Sequence, residues 1–512
     1  MLSHVWSSTL HGVDALPIEI ETHAESAMPT FQMVGLPDNV VKESRTRVFS
    51  AIKNCGLTMP YGRLVINLAP ADVPKEGSAF DLPIAIGLIA AAGSALESAP
   101  LNNIYILGEL SLDGSVRSVR GVLPMAVRAR EEGRMGIMVP KENASEAAVV
   151  EGLNVYPVGT LLDAFHLLRN FNRVTPFVLD PSRRFGEIED AGLDMSDVRG
   201  QENVKRALEV AAAGGHNVLL VGPPGAGKTM LARRLPTILP PLSLAEAIET
   251  TKVHSVGGKL NGAGLVAGRP FRAPHHTVSD IGLCGGGSNP MPGEISLAHN
   301  GVLFLDELPE FRRSALEVLR QPLEEGRVTI SRARISVDYP ARFMLVASMN
   351  PCPCGYANDP TRSCACNPGN IQKYLARVSG PLMDRIDMHI EVTPVPFEEL
   401  NLRQAGPRSQ TMRDRIIDCR RVQAERLKDS PGIYCNAQMT SRQVKETCRL
   451  DAAGQALMKA AMHRIGLSAR AFHRILKVSR TISDLAGDER ITTTAVAEAI
   501  QYRSLDREDW RR

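Results

Sequence analysis

The run Asn217-Val-Leu-Leu-Val221, followed at once by Gly222-Pro-Pro-Gly-Ala-Gly-Lys-Thr229, constrains this chain more than any other stretch. An apolar strand enters G-x-x-x-x-G-K-T, and a helix-forming Met-Leu-Ala-Arg-Arg-Leu leaves it. Glycines at such a strand-to-helix turn let backbone N–H groups wrap a phosphate, and the following helix adds its positive N-terminal end. Gly222, Pro223, Pro224, Gly225, Ala226 and Gly227 then form the cradle. Lys228 reaches the outer phosphates of ATP and the Thr229 hydroxyl ligates Mg²⁺. A chance glycine-rich turn would lack the strand before it and the helix after it.

Two later strands end in polar side chains. Gly301-Val-Leu-Phe-Leu runs into Asp306-Glu307. Asp306 is placed to hold the Mg²⁺ hydration shell and Glu307 to polarise an attacking water. An apolar strand closing on two carboxylates is common by itself; following a phosphate loop, it gains meaning. Phe343-Met-Leu-Val-Ala-Ser-Met-Asn350 is another apolar run ending in an amide. Asn350 can orient the water between Glu307 and the terminal phosphate, or simply close a strand in a turn.

The chain holds nine cysteines, and four of them fall between Cys352 and Cys366 as two C-x-C pairs, Cys352/Cys354 and Cys364/Cys366. Paired thiolates suit tetrahedral Zn²⁺. Redox-active thiols and coincidence are the alternatives. Cys55, Cys284, Cys419, Cys435 and Cys448 are scattered and read as packing residues. The first residues lack the basic and apolar regions of a signal peptide, and no run of about 18 apolar residues appears. A reducing, cytoplasmic location without a membrane is expected.

Composition divides the chain. Residues 1–200 carry 17 Lys+Arg against 24 Asp+Glu, residues 201–400 carry 20 against 19, and residues 401–512 carry 22 against 13. A basic final fifth suits a polyanionic partner such as DNA, although a solvated helical face gives the same count. Four segments follow from pattern: an α/β or α+β region over 1–170, a polar linker over 171–198, the nucleotide module over 199–400, and a basic helical region over 401–512. Within the last, helices are expected at 411–428, 440–448, 451–465, 468–486 and 493–501, with Thr440 and Thr493 as N-caps.

The order of these motifs resembles that of AAA+ ATPases, and their surroundings resemble the magnesium-chelatase-like branch. Arg269-Pro-Phe-Arg-Ala-Pro-His-His-Thr-Val-Ser-Asp280 and Gly293-Glu-Ile-Ser-Leu-Ala-His-Asn-Gly301 look like that branch's insert. Val328 to Asp338 alternates like a hairpin. The resemblance makes both elements pore-facing, with Arg332 and Arg334 as DNA contacts or as merely solvated arginines. Gly380-Pro-Leu-Met-Asp-Arg385-Ile-Asp387 resembles the segment carrying an arginine finger, which stabilises a neighbouring subunit's phosphoryl group. An internal ion pair with Asp384 or Asp387 is the alternative for Arg385. Arg470 resembles the second sensor of the helical lid, with Arg474 one turn on as its competitor.

Residues Pro74–Asp81 and Gly108–Asn143 resemble the Lon-protease catalytic fold, an α+β, ribosomal-protein-S5-like domain. The family's serine position falls on Ala79 and its lysine position on Leu123, so the resemblance implies the fold without the protease dyad. From end to end the chain resembles the YifB/ComM family of magnesium-chelatase-like ATPases. That resemblance implies a homo-hexameric ring using ATP, Mg²⁺ and a zinc site to drive branch migration of DNA. A chelatase-like metal-insertion motor and an ATP-driven remodeller of proteins are the other readings. Aromatic residues make up only 4% of the chain, so stacking platforms for single strands are scarce.

Overall fold

The computed structural model describes residues 1–180, 192–260, 264–287, 290–332, 336–357, 362–396, 406–430, 432–503 and 505. They form two compact units. One comprises Met1–Ile188, Ser243–Ala267 and Ser331–Tyr339; the other comprises Glu189–Leu242, Gly268–Ile330 and Pro340–Arg512.

The first unit is built on seven strands: β1 (Leu2–His11), β2 (Asp14–Glu25), β3 (Thr30–Val34), β4 (Arg63–Ala69), β5 (Ile104–Ile106), β6 (Gly136–Pro140) and β7 (Asn154–Val158). Their order across the sheet is β3-β4-β2-β1-β5-β6-β7. Alternation sets the buried face: Ile18, Ile20 and Thr22 of β2 point inward while Glu19 and Glu21 point out. Helix α1 (Asn39–Asn54) shows one apolar stripe, whereas α2 (Asp81–Ala92) is apolar all round and buried at ten of its twelve positions. Gly87 is what lets α2 lie on β2, because a Cβ there would come 2.7 Å from Thr22 Oγ1. Helix α3 (Val122–Glu131) has its first turn capped by Glu146, whose carboxylate accepts the Leu123 N–H at 2.8 Å. The helix Leu244–Val256 follows the nucleotide loop in sequence yet belongs to this unit. Its Ser255 hydroxyl donates to Glu146, its Ser255 carbonyl accepts the Gly121 N–H at 3.3 Å, and its Lys252 lies 3.3 Å from Asp14.

The second unit centres on five parallel strands: β8 (Val218–Val221), β9 (Phe271–Arg272), β10 (Val302–Leu305), β11 (Met344–Met349) and β12 (Met388–Glu391), in the order β9-β10-β11-β8-β12. β8, β10 and β11 are buried at every position, as expected of parallel strands covered on both faces. Helices α4 (Glu202–Gly214) and α5 (Lys228–Ile238) flank β8 in sequence.

The basic end of the chain is helical: α6 (Ser409–Arg426), α7 (Ser441–Thr447), α8 (Ala452–Ile465), α9 (Ala469–Ala486) and α10 (Thr493–Gln501). Thr440 caps α7 through a capping box, as its spacing from Gln443 suggests. The cap of α10 is Thr492 rather than Thr493, because its hydroxyl, one residue earlier, accepts the Ala495 N–H at 3.3 Å. The polar stretch after residue 170 is tied at both ends. Phe177 N–H donates to Val155 O at 2.8 Å, and Asp194 accepts the Ser409 N–H at 3.2 Å. Two strands, Arg327–Ser331 and Ser336–Pro340, form a hairpin sheet; Arg332 at its tip is exposed, and Arg334 lies outside the described residues.

Candidate nucleotide site

Strand register brings the motif residues together. Val221 pairs with Met349, so Gly222 comes level with Asn350; Leu305 pairs with Ala347, so Asp306 comes level with Ser348. All these residues leave the carboxyl ends of adjacent parallel strands, where ligands bind in open α/β sheets. Phe271 pairs with Val302 and Arg272 with Leu303, which carries the run Pro274-His275-His276 out along the same edge toward Asp306 and Glu307.

The loop from Gly222 to Gly227 turns through two left-handed residues, Gly225 (φ 79°) and Gly227 (φ 88°). A Cβ on Gly225 would meet nothing within 4 Å, while one on Gly222 would strike Val392 O at 2.1 Å. Glycine is therefore required at Gly222 for close packing and at Gly225 for backbone conformation. Gln201 braces the loop from below, its Nε2 donating to Ala226 O at 2.8 Å and Thr393 O at 3.0 Å. Pro223 is buried, Pro224 is exposed, and Ala226 is buried in the core.

Lys228, the first residue of α5, sends its ammonium back over the loop. It donates to Gly222 O at 2.7 Å, Pro223 O at 2.9 Å and Asn350 Oδ1 at 3.1 Å. Burial lowers its pKa, against the raising effect of Asp306 and Glu307. Thr229 Oγ1 donates to Asp306 Oδ2 at 2.7 Å. Glu307 follows in the left-handed region (φ 56°), with an exposed side chain 3.9 Å from His276 Nδ1. Lys228, Thr229, Asp306, Glu307 and Asn350 thus occupy one edge of one sheet. A cation beside a carbonyl-lined glycine loop, facing a hydroxyl and a carboxylate, fits a Mg²⁺–nucleotide.

Motif reading misses two neighbours of these residues. Ser348 is fully buried; its hydroxyl donates to Asp306 Oδ1 and accepts the Glu307 N–H at 3.2 Å. Its position two residues before Asn350 is the only sequence signal for it. His276 stacks at 4.0 Å on His275 and meets Phe311 edge-on at 6.4 Å. Its role beside Glu307 follows from the β9–β10 register, which the sequence does not disclose.

The arginines are disposed differently. Arg385 is buried and held within its own chain, donating to Pro381 O at 2.6 Å and pairing with Glu324. Its acidic partner is thus Glu324 rather than Asp384 or Asp387; Asp387 instead pairs with Arg474 of α9 and accepts the Asn217 N–H at 2.8 Å. Burial opposes ionisation of Asp387, but Arg474 and His216 hold its carboxyl below the usual range. Arg474 is therefore committed to the loop after Arg385, while Arg470, one turn earlier on α9, is exposed.

Four cysteine sulfurs, of Cys352, Cys354, Cys364 and Cys366, all lie within 4.8 Å of one another. The Sγ···Sγ separations are 3.3 Å (Cys352–Cys354), 3.7 Å (Cys352–Cys364) and 3.6 Å (Cys354–Cys364). A zinc tetrahedron with Zn–S bonds of about 2.3 Å has edges of about 3.8 Å. N–H groups also point at the sulfurs: Ala357 N to Cys352 Sγ at 3.3 Å and Cys366 N to Cys364 Sγ at 3.4 Å. Backbone N–H groups of Tyr356 and Ala365 favour the Cys354 thiolate, while the crowding of sulfurs without a cation pushes the Cys364 and Cys366 thiols up. The donor set therefore fits a thiolate-bound metal.

In the N-terminal unit, Leu123 is fully buried in α3, Ser78 donates to Glu109, and Lys75 is buried with its ammonium on Pro70 O.

A parallel sheet carrying a phosphate loop, an acidic pair and a polar strand end defines a P-loop nucleotide module of the AAA+ kind. Family models described as magnesium chelatase subunit ChlI match residues 194–400, the ChlI subunit of Mg-chelatase matches 20–143, and the ChlI C-terminal model matches 406–503. The chain is 45% identical to the Competence protein ComM of Haemophilus influenzae over 99% of its own length and 98% of that protein's. It is 42% identical to the Escherichia coli protein YifB over 99% and 98%. The Magnesium-chelatase 38 kDa subunit of Rhodobacter capsulatus is 29% identical over only 30% of this chain and 49% of its own. The chain belongs to the ComM/YifB family of magnesium-chelatase-like AAA+ ATPases.

Proposed function

We propose that this protein is an ATP-driven DNA translocase that forms a hexameric ring and promotes branch migration of recombination intermediates. The observation that carries the proposal is the assembled set Lys228, Thr229, Asp306, Glu307 and Asn350 in a chain collinear with a competence protein. The partial match to the chelatase subunit gives less support to a metal-insertion motor. No helix among the described residues is long and apolar enough to cross a membrane.

In this reading Lys228 leaves the loop carbonyls for the β- and γ-phosphates, and the N–H groups of Gly225 to Thr229 hold the phosphate chain. Thr229 and Asp306 would hold Mg²⁺, which neutralises charge on the transferring phosphoryl group. Glu307 takes a proton from the attacking water and Asn350 orients it. Arg385 exchanges Glu324 for the γ-phosphate of the neighbouring subunit, and Arg470 senses the nucleotide from the lid. Arg474 ties α9 to the Arg385 loop, so lid and finger move together. The Cys₄ cluster holds Zn²⁺. Residues 1–170 keep a Lon-like fold without peptidase activity, and Arg332 contacts DNA by phosphate attraction, which makes binding salt-sensitive.

The test is ATP turnover with and without branched, single-stranded and duplex DNA. Glu307→Gln is expected to lower turnover by about 10²–10⁴-fold while leaving nucleotide bound. Stimulation by branched DNA that vanishes in this variant supports the proposal. A rate indifferent to every DNA overturns the DNA function and leaves the ATPase assignment standing.

A further inference from the structure

The cysteine cluster begins two residues after Asn350, and its turn folds back onto the nucleotide loop. Cys352 is fully buried, and its carbonyl accepts the Gly355 N–H at 3.0 Å, closing the turn that contains Cys354. Gly355, in the left-handed region at φ 87°, lies flat against the ring of Pro224. A Cβ at Gly355 would come 2.4 Å from Pro224 Cδ and 2.8 Å from Cγ. Backbone and ring are therefore in close contact, without a side chain between them.

Asn350 is fastened on the same side. Tyr374, on the helix Pro368–Leu375 that follows the last cysteine, is buried, and the Asn350 backbone N–H offsets part of the upward push that burial gives its hydroxyl. The turn inside the cluster therefore touches the nucleotide machinery directly, Gly355 lying on Pro224 of the loop, and the chain before the cluster leads straight from Asn350, which bonds Lys228. Bringing the two cysteine pairs together costs chain entropy, which a cross-link between them offsets. A metal on the four thiolates would supply that cross-link through coordination.

From this contact we infer that Gly355 is a positioning residue for the phosphate loop, and that metal on Cys352, Cys354, Cys364 and Cys366 tightens nucleotide binding through it. The inference rests on the ATP-site reading and on the thiolate-metal reading above. Metal occupancy and nucleotide affinity are then linked, and the linkage is reciprocal: metal raises nucleotide affinity, and nucleotide holds the metal by the same factor.

The experiment uses the full chain loaded with Zn²⁺, with metal content measured directly and affinity read from a fluorescent ADP analogue. Removing zinc with a chelator is expected to weaken ADP binding by about tenfold, within the usual range of such couplings. Saturating ADP is expected to slow zinc loss to the chelator. Gly355→Ala is expected to weaken ADP binding at full zinc content. Gly369→Ala is the control, because a Cβ there meets nothing closer than 3.7 Å and leaves the loop contact intact. Equal ADP affinity with and without zinc overturns the linkage, whatever the variant does. A chain that holds no zinc overturns the metal reading and this inference with it. A zinc-loaded chain that binds no ADP overturns the ATP-site reading instead.

Discussion

Lys75 of the N-terminal unit and Lys228 of the nucleotide module share most of their local description. Both are buried, both follow a proline-containing loop, both donate to backbone carbonyls of that loop, and burial lowers the pKa of each. They differ in what else they face. Lys75 has Asp72 as its acidic neighbour, and the polar groups nearby are matched with one another: Ser78 with Glu109, and Asp81 with Arg47 at 2.6 and 2.9 Å. Lys228 faces Asp306, Glu307 and Asn350 at the open end of parallel strands, beside a glycine loop whose Gly225 has free space over it. A buried lysine with a depressed pKa is therefore not in itself a site. What distinguishes Lys228 is its place at the carboxyl ends of parallel strands, where a polyanion can reach it.

Paired substitutions give the sharpest break. Lys228→Met is expected to weaken ATP binding by about 10²-fold or more, through loss of charge-assisted bonds, and to lower stability as well, since Gly222 O and Pro223 O lose their donor. Lys75→Met is expected to leave nucleotide binding intact and to destabilise the N-terminal unit by about 1–3 kcal/mol, since Pro70 O loses its donor. Equilibrium binding and calorimetry on the same two proteins decide it, and similar phenotypes would erase the contrast.

Asp81→Asn tests the matched network further. Asp81 is buried under Arg47 and the Leu110 N–H at 3.2 Å, so the change is expected to cost roughly 3 kcal/mol of unfolding free energy without lowering ATP turnover per bound nucleotide. A smaller effect comes from acid. Burial drives the His216 imidazole from 6.5 down to about 4. Between those values the unfolded chain binds a proton that the folded chain refuses, so stability is full above 6.5 and is lost as pH falls toward 4. The loss approaches about 1.4 kcal/mol per pH unit. His216→Gln is expected to flatten that slope in denaturant titrations between pH 6.5 and 5. Smallest of the set, Ser348→Ala is expected to reduce turnover about tenfold and raise the Mg²⁺ concentration needed for half-maximal rate, as Asp306 loses its bond to Oγ. An unchanged Mg²⁺ requirement would leave Ser348 a packing residue only.

Local pattern determined much of this protein. Strand β8, the loop to Thr229 and α5 are one continuous signal, since apolar run, glycines and helix former are neighbours in the chain. The same holds for β10, β11, the hairpin and the C-terminal helices α8 and α9, where caps and periodicity lie within a few residues of each other. The paired cysteines were legible for the same reason. Tertiary structure alone decided three other matters. The helix Leu244–Val256, read as part of the nucleotide module, packs with the N-terminal unit, because its Ser255 and Lys252 find Glu146 and Asp14 more than a hundred residues away. Arg474 pairs with Asp387 while Arg470 stays exposed, a division that equal spacing on one helix face could not make. The contacts of Ser348 with Asp306 and of Gly355 with Pro224 depend on strand register and on a folded-back turn. Register and turn direction are settled by which faces are buried against which, and burial is a property of the packed chain rather than of any short stretch of it.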